Sequence, residues 1–430
     1  MKTFKKSLLA SCIIFLAAAH GAVSEEKMTI PVRYAGSNTP IVTLDVIRAF
    51  DGRLPGLSDE DMKGILDEAL RMISAKFGDR IKIEFKDNGT VSLEELFQDK
   101  KYRATDIYRQ FNSSKYDLKQ GREMPLFKNE KFRETVIKFL KQWALDSLRG
   151  YFPDKKIENY DDVYVNIMEI YHEKIDWLKT LKTEKGENLV IAPAEPFQSY
   201  VEWASFMYDQ DKYDIVFTNS LIIYDSAAAP YPHAVCKHAK AGGGAFTSPK
   251  REALDGGSMM VSIFEEYGNI DGIRDADKDI PREFKNRILG GFVLAHEFGH
   301  AFYRLPDFYD HGDTCLMNSS LSNLDFAEGY KILAGDMSKC LKCQPWIAAK
   351  EYIIRGRIAY DNGEYKKAGV LLLKGVKGTL KLIDGDLDMF VDIKLYLKYI
   401  LKITALAYDE AGDSSGVEDI EKLLDKLDKK

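Results

Sequence analysis

The run FKNRILGGFVLAHEFGHAF, residues 284–302, constrains this chain more than any other stretch. Phe284, Ile288, Phe292 and Ala295 recur at helical spacing, which predicts a helix beginning near Pro281 with one apolar stripe. His296 and His300 are four residues apart on it and project from neighbouring turns of the same face. The segment has to serve as a core helix and as a metal-binding face at once. The five residues HEFGH fit the pattern HExxH, in which the two imidazoles supply neutral nitrogen ligands to zinc. Glu297, displaced by one residue, reaches the attacking water instead of the metal. It can take that water's proton and deliver it to the departing amine. The plainer alternative is a solvated helix face that happens to carry two histidines.

At 430 residues, 45% hydrophobic and 30% charged, the chain can bury a sizeable core and divides into two or three domains. Its first 24 residues, with Lys2, Lys5 and Lys6 ahead of an apolar run from Leu8 to Ala19 and then Gly21, Ala22 and Ser24, read as a secretory signal peptide. The run falls short of the roughly 20 residues that a spanning helix needs. A lipidated Cys12 is a further alternative, but the apolar run continues past it. No later segment is long and apolar enough to span a bilayer, so the expected location is secreted or periplasmic. Cleavage removes three lysines and no acidic residue, taking the formal charge from −6 to −9. That balance argues against nucleic acid or anionic lipid as the main partner.

Upstream of the opening helix, residues 28–34 alternate as a strand, and residues 58–80 read as a helix opened by Ser58 and Asp59 and closed by Gly78. RIKIEF, residues 80–85, is a strand, and residues 127–182 are helical. Residues 213–225 read as a strand with a polar break, and residues 258–268 as another. The stretch between them, 227–249, reads as a loop because of its prolines and glycines.

HEFGH followed by LPDFYD and then Cys315-Leu316-Met317 resembles the metzincin clan of zinc endopeptidases. In that clan the HExxH helix turns at a glycine, a third ligand follows six residues after the second histidine, and a methionine-containing turn passes under the metal. LPDFYD is similar to the immune-inhibitor-A type of peptidase, which implies Asp307 as third ligand; His311 is the alternative. Cys315-Leu-Met317 followed by Cys340-Leu-Lys-Cys343 is similar to archaemetzincins, in which such cysteines form part of a second zinc site. The motifs cover residues 281–346, and the order of elements extends the likeness to 28–346. The chain departs from the clan at the turn, where Tyr303-Arg304 replaces the glycine, so that Asp307 falls seven residues after His300. Tyr303 resists a left-handed backbone, so the reversal is expected to come from Pro306 ending the helix.

With Asp307 on the catalytic zinc, His311 is free to join Cys315, Cys340 and Cys343 in a closed Cys₃His site, the composition of structural zinc. Disulfides involving Cys236 are the alternative for an exported protein. His233, Cys236 and His238 read as surface-loop residues that can also line a cleft. The acidic run 271–279 lacks the glycine and closing glutamate of a calcium loop and reads as solvated. Tyr303 and Tyr309 either pack or stabilise an oxyanion.

From Trp346 onward the chain has no cysteine or histidine. Gly356, Gly363, Tyr365 and Ala368 have the spacing of a tetratricopeptide repeat, and Ala359-Tyr360-Asp361 recurs 48 residues later as Ala407-Tyr408-Asp409. A helical bundle capping the catalytic part is the alternative. The expectation is therefore an α+β fold with three parts: a signal peptide over 1–24, a metzincin-like metallopeptidase domain over 25–345 and an all-α tetratricopeptide-like domain over 346–430. A catalytic zinc, a second structural zinc, a protein or peptide substrate and a possible protein partner on the C-terminal helices go with it. The competing reading is a non-catalytic, zinc-stabilised module that binds protein through those helices.

Overall fold

The computed structural model describes residues 41–79, 81–98, 130–141, 144–149, 152, 154–180, 182–183, 185–189, 198, 200–222, 243–247, 257–264, 282–306, 315–317, 340–383 and 391–429. The signal segment, the strand expected over 28–34, His233, Cys236, His238, the run 271–279, Asp307, Tyr309 and His311 lie outside the described residues.

The fold is mixed α/β, built on a five-stranded sheet in the order β2-β1-β3-β5-β4. The strands are β1 (Ile41–Phe50), β2 (Lys82–Ser92), β3 (Ile215–Thr218), β4 (Gly243–Thr247) and β5 (Gly257–Ser262). β1 pairs with β2 and β3 in parallel, as does β3 with β5, whereas β4 is an antiparallel edge strand on β5. Parallel neighbours need crossover connections, which cover both faces of the sheet. On one face lie α1 (Asp59–Phe77) and α7 (Arg282–Ala301), packed on Leu44, Val46, Phe217, Met259 and Val261. On the other, α2 (Leu93–Gln98) and α6 (Tyr200–Asp209) bring Leu93, Phe97, Trp203 and Phe206 onto Ile47, Ala49, Val216 and Met260. Between them α3 (Glu130–Leu140), α4 (Leu145–Arg149) and α5 (Tyr160–Thr180) gather a small core of their own around Leu140, Val163 and Ile167.

Local chemistry sets the boundaries. Ser58 caps α1 by accepting the Asp61 N–H at 3.1 Å, and Gly78, at φ 74°, ends the helix as expected. The strand expected over 213–225 stops at Thr218. Asn219 turns inward there, donating to the carbonyls of Asp51 and Pro55 at 3.1 and 3.0 Å and so tying down the loop that leaves β1. The strand expected over 258–268 likewise spans only Gly257–Ser262. β1, α2 and α6 are additions to the elements expected from the sequence.

The loop reading of 227–249 needs correction near its end, where Gly243–Thr247 forms β4. The glycine there marks a close approach instead of a turn. A Cβ on Gly243 would stand 2.6 Å from Val293 Cγ1 and 2.9 Å from Glu297 Oε1.

The C-terminal part is all helical: α8 (Gln344–Asp361), α9 (Tyr365–Leu382), α10 (Val391–Glu410) and α11 (Ser414–Lys429). They form two hairpins, turned by Gly363 at φ 76° and Gly412 at φ 68°. The repeated Ala-Tyr-Asp falls in the last turn of the first helix of each hairpin, with Ala359 and Ala407 buried against Ala368. One continuous hydrophobic core runs from the sheet through α7 into these helices. α8 lies at its centre, with Ile353 and Ile354 buried along with the polar Lys350 and Arg357.

Candidate metal centres

The last two turns of α7 place His296 and His300 with their Nε2 atoms 3.0 Å apart. Each ring is fixed from behind by a backbone carbonyl: His296 Nδ1 lies 2.7 Å from Leu316 O, and His300 Nδ1 lies 2.5 Å from Leu305 O. A carbonyl can only accept, so both Nδ1 atoms carry a proton, and at each Nε2 a neutral ring offers a lone pair while an imidazolium offers a second N–H. At 3.0 Å the two Nε2 atoms are joined either by one proton, shared as an N–H···N bond, or by a metal ion that takes both lone pairs. Two nitrogens about 2.0–2.1 Å from a tetrahedral zinc stand roughly 3.3 Å apart, so the pair fits such an ion with little adjustment. The same carbonyl contacts are what orients a ligating histidine and raises its basicity.

Glu297 reaches the edge strand β4. It is 8% exposed, and its Oε1 occupies the space that a side chain on Gly243 would fill. The absence of a side chain at position 243 is what lets the carboxylate lie against the strand.

Beneath the helix lies Cys315-Leu316-Met317, each residue of which has a separate task. Leu316 supplies the carbonyl to His296. Met317 is fully buried against the helix at Gly299, where a Cβ would come within 2.4 Å of its sulfur. Cys315 turns the other way into a second cluster, where its Sγ is 3.6 Å from that of Cys343. The sulfur atoms of Cys315, Cys340 and Cys343 all lie within 4.8 Å of one another, and the group can hold a metal ion. All three are free thiols, so no disulfide joins them. Thiolates at about 2.3 Å from a tetrahedral ion stand roughly 3.8 Å apart, which this spacing matches.

Cys340 and Cys343 form a tight turn in which the N–H groups of Cys343 and Gln344 donate to the Cys340 carbonyl at 3.2 and 3.3 Å. Cys343 is the N-cap of α8, so the helix dipole favours negative charge on its sulfur. Lys76, buried in the last turn of α1, donates from Nζ to Cys315 Sγ at 3.2 Å. In the metal-free group the hydrogen bond with Cys315 and burial push the Cys343 thiol up, against the opposing pull of Lys76. Three elements, α1, the 315–317 turn and α8, therefore meet at this cluster.

The turn after α7 departs from expectation. Pro306 does not make the reversal. Arg304 does, at φ 56°, the one non-glycine residue with positive φ among those described. The left-handed residue falls four places after His300. Tyr303 packs: it is 2% exposed and stacked on Phe77 with ring centroids 4.1 Å apart.

Lys76, Arg304 and the two carbonyls escape sequence reasoning to different degrees. Lys76 continues the buried series Ile65, Ala69, Met72 at helical spacing, so a lysine on an apolar stripe was a readable signal. Backbone carbonyls carry no signal in side-chain chemistry. In comparisons with known proteins, no family model, no curated protein and no solved structure matches this chain.

Proposed function

We propose that this chain is a secreted zinc-dependent peptidase, with His296 and His300 as metal ligands, Glu297 as general base, and a second, structural zinc on Cys315, Cys340 and Cys343. The observation that carries the reading is the pair of imidazoles whose Nδ1 atoms are both committed to carbonyls and whose Nε2 atoms converge at 3.0 Å. Two neutral imidazoles with Nδ1 protonated would offer both Nε2 lone pairs to one zinc ion. Zinc would supply Lewis acidity there, polarising a substrate carbonyl and making water nucleophilic near neutral pH. Glu297 takes the proton of the attacking water and passes it to the leaving nitrogen. A structural site has no use for such a carboxylate.

The position of β4 supports an extended peptide as substrate. It is the edge strand, and Gly243 brings it against Glu297, so a chain pairing along it would pass beside the base. The C-terminal helices are read as tetratricopeptide-like hairpins. α8 is buried on several sides, which favours a scaffolding role for it over partner binding.

Glu297→Ala should keep its zinc and lose peptide hydrolysis by about 10²–10⁴-fold, the usual contribution of general acid–base catalysis. His296→Ala should lose both. An active Glu297→Ala protein would sink the mechanism. Asp307 is proposed as third ligand and His311 as fourth ligand of the cysteine cluster. Asp307→Ala should then weaken only the ion on the histidine pair, and His311→Ala only the cysteine-held one; the reverse pattern exchanges their roles.

A further inference from the structure

The left-handed Arg304 sits between two things that need explaining together: the carbonyl that orients His300, and the C-terminal helices that cover the turn. An L residue at φ 56° is disfavoured by contact of its Cβ with the following carbonyl, so the surroundings must hold it there. The residue after it shows why the conformation matters. Leu305 donates its N–H to Gly299 O at 3.1 Å, closing the chain back onto α7, and its own carbonyl receives His300 Nδ1 at 2.5 Å. If residue 304 relaxed to negative φ, the Leu305 peptide would swing away and both bonds would break.

The restraint comes from the C-terminal helices. The Arg304 side chain is 7% exposed, and its guanidinium carbon lies 4.8 Å from the centroid of the Tyr396 ring on α10. That ring is fixed in turn by Lys350 of α8, whose Nζ donates to the Tyr396 hydroxyl at 3.0 Å and lies 4.2 Å from the ring centroid of Phe302. The contacts grip the turn from Phe302 to Arg304. A buried cation–π contact is of the same order as the cost of one left-handed L residue, so losing it can decide the backbone conformation.

We propose that Arg304 and Tyr396 are positioning residues for the His300 imidazole: Tyr396 anchors Arg304 in its left-handed conformation, which presents the Leu305 carbonyl to His300 Nδ1 and so fixes the Nε2 lone pair toward the metal. The C-terminal helices are then part of the histidine site. The inference rests on the reading of His300 as a metal ligand and is independent of whether the protein cleaves peptides.

The test uses the full chain with ¹⁵N-labelled histidine. The first readout is the ring nitrogen shifts of His300 in the metal-free protein, which report the tautomer. The second is the zinc affinity of the histidine pair by chelator competition, with the cysteine-held ion as internal control. Tyr396→Ala and Arg304→Ala should lose the fixed Nδ1–H tautomer and weaken zinc at the pair by about tenfold or more, the scale on which such outer contacts act. Tyr396→Phe keeps the cation–π face but loses the Lys350 bond to the hydroxyl, so its effect should fall between wild type and Tyr396→Ala. Arg304→Gly adopts positive φ without an anchor, so Tyr396→Ala placed in that background should change neither readout further. If Tyr396→Ala does not fold, Tyr396→Leu keeps most of the volume without the π face and carries the same expectation. An unchanged His300 tautomer in Tyr396→Ala, or the same loss with and without Arg304→Gly, would overturn the proposal and leave Tyr396 a packing residue. Absence of zinc at the pair in the wild type would refute the metal reading, while the tautomer comparison would still decide the tether.

Discussion

Replacing Gly299 by alanine tests whether the 315–317 turn props up the histidine helix. The new Cβ would lie 2.4 Å from Met317 Sδ, 3.0 Å from its Cε and 3.3 Å from Phe77 Cζ. Met317 is fully buried and Phe77 is 2% exposed, so neither can retreat into solvent. Overpacking of this kind costs about 1–3 kcal/mol. The helix gains roughly 0.8–1.0 kcal/mol from losing a glycine. The net expectation is a loss of about 0–2 kcal/mol in urea unfolding followed by near-ultraviolet circular dichroism. The sharper test is the background. Met317→Ala alone should cost about 2–5 kcal/mol as a cavity. Within it, Gly299→Ala should turn from destabilising to stabilising, because the obstructing sulfur is gone and only the helix preference remains. Zinc affinity at the histidine pair should fall in the single Gly299→Ala variant, since pushing Met317 displaces the neighbouring Leu316 carbonyl from His296. An equal effect of Gly299→Ala in both backgrounds would refute the packing argument.

The purified protein should hold about two zinc ions per chain, one lost to mild chelation from the open histidine site and one retained by the closed cysteine site; one zinc with four hydrogens missing from the mass would mean two disulfides instead. The environment that pushes the Cys343 thiol up makes its proton harder to displace, so uptake at the cysteine site should release protons and the retained ion should be shed as pH falls, followed by zinc release on acid titration. Lys76→Met should weaken the cysteine-held ion while Lys76→Arg largely preserves it, because a buried cation 3.2 Å from Cys315 Sγ offsets thiolate charge; equal affinity in Lys76→Met would remove that role.

What the sequence determined by itself were the features that depend on local periodicity and side-chain type. The α1 cap at Ser58 and the helix bearing His296, Glu297 and His300 follow from spacings of three to four residues, where neighbours along the chain are neighbours in space. The grouping of Cys315 with Cys340 and Cys343, 25 positions on, was expected only from the resemblance to archaemetzincins, and the fold brings the three sulfurs together. What only the tertiary structure decided lies in contacts between distant segments. β4 reads as a glycine-rich loop until β5 supplies its ladder and Glu297 takes the place of a side chain at Gly243. Arg304 reads as a poor substitute for a turn glycine until Tyr396, 92 positions further on by residue number, supplies a ring for its guanidinium. The tautomers of both histidines are set by carbonyls of Leu316 and Leu305, and every residue has such a carbonyl, so no pattern of side chains can announce which one a fold will aim at an imidazole.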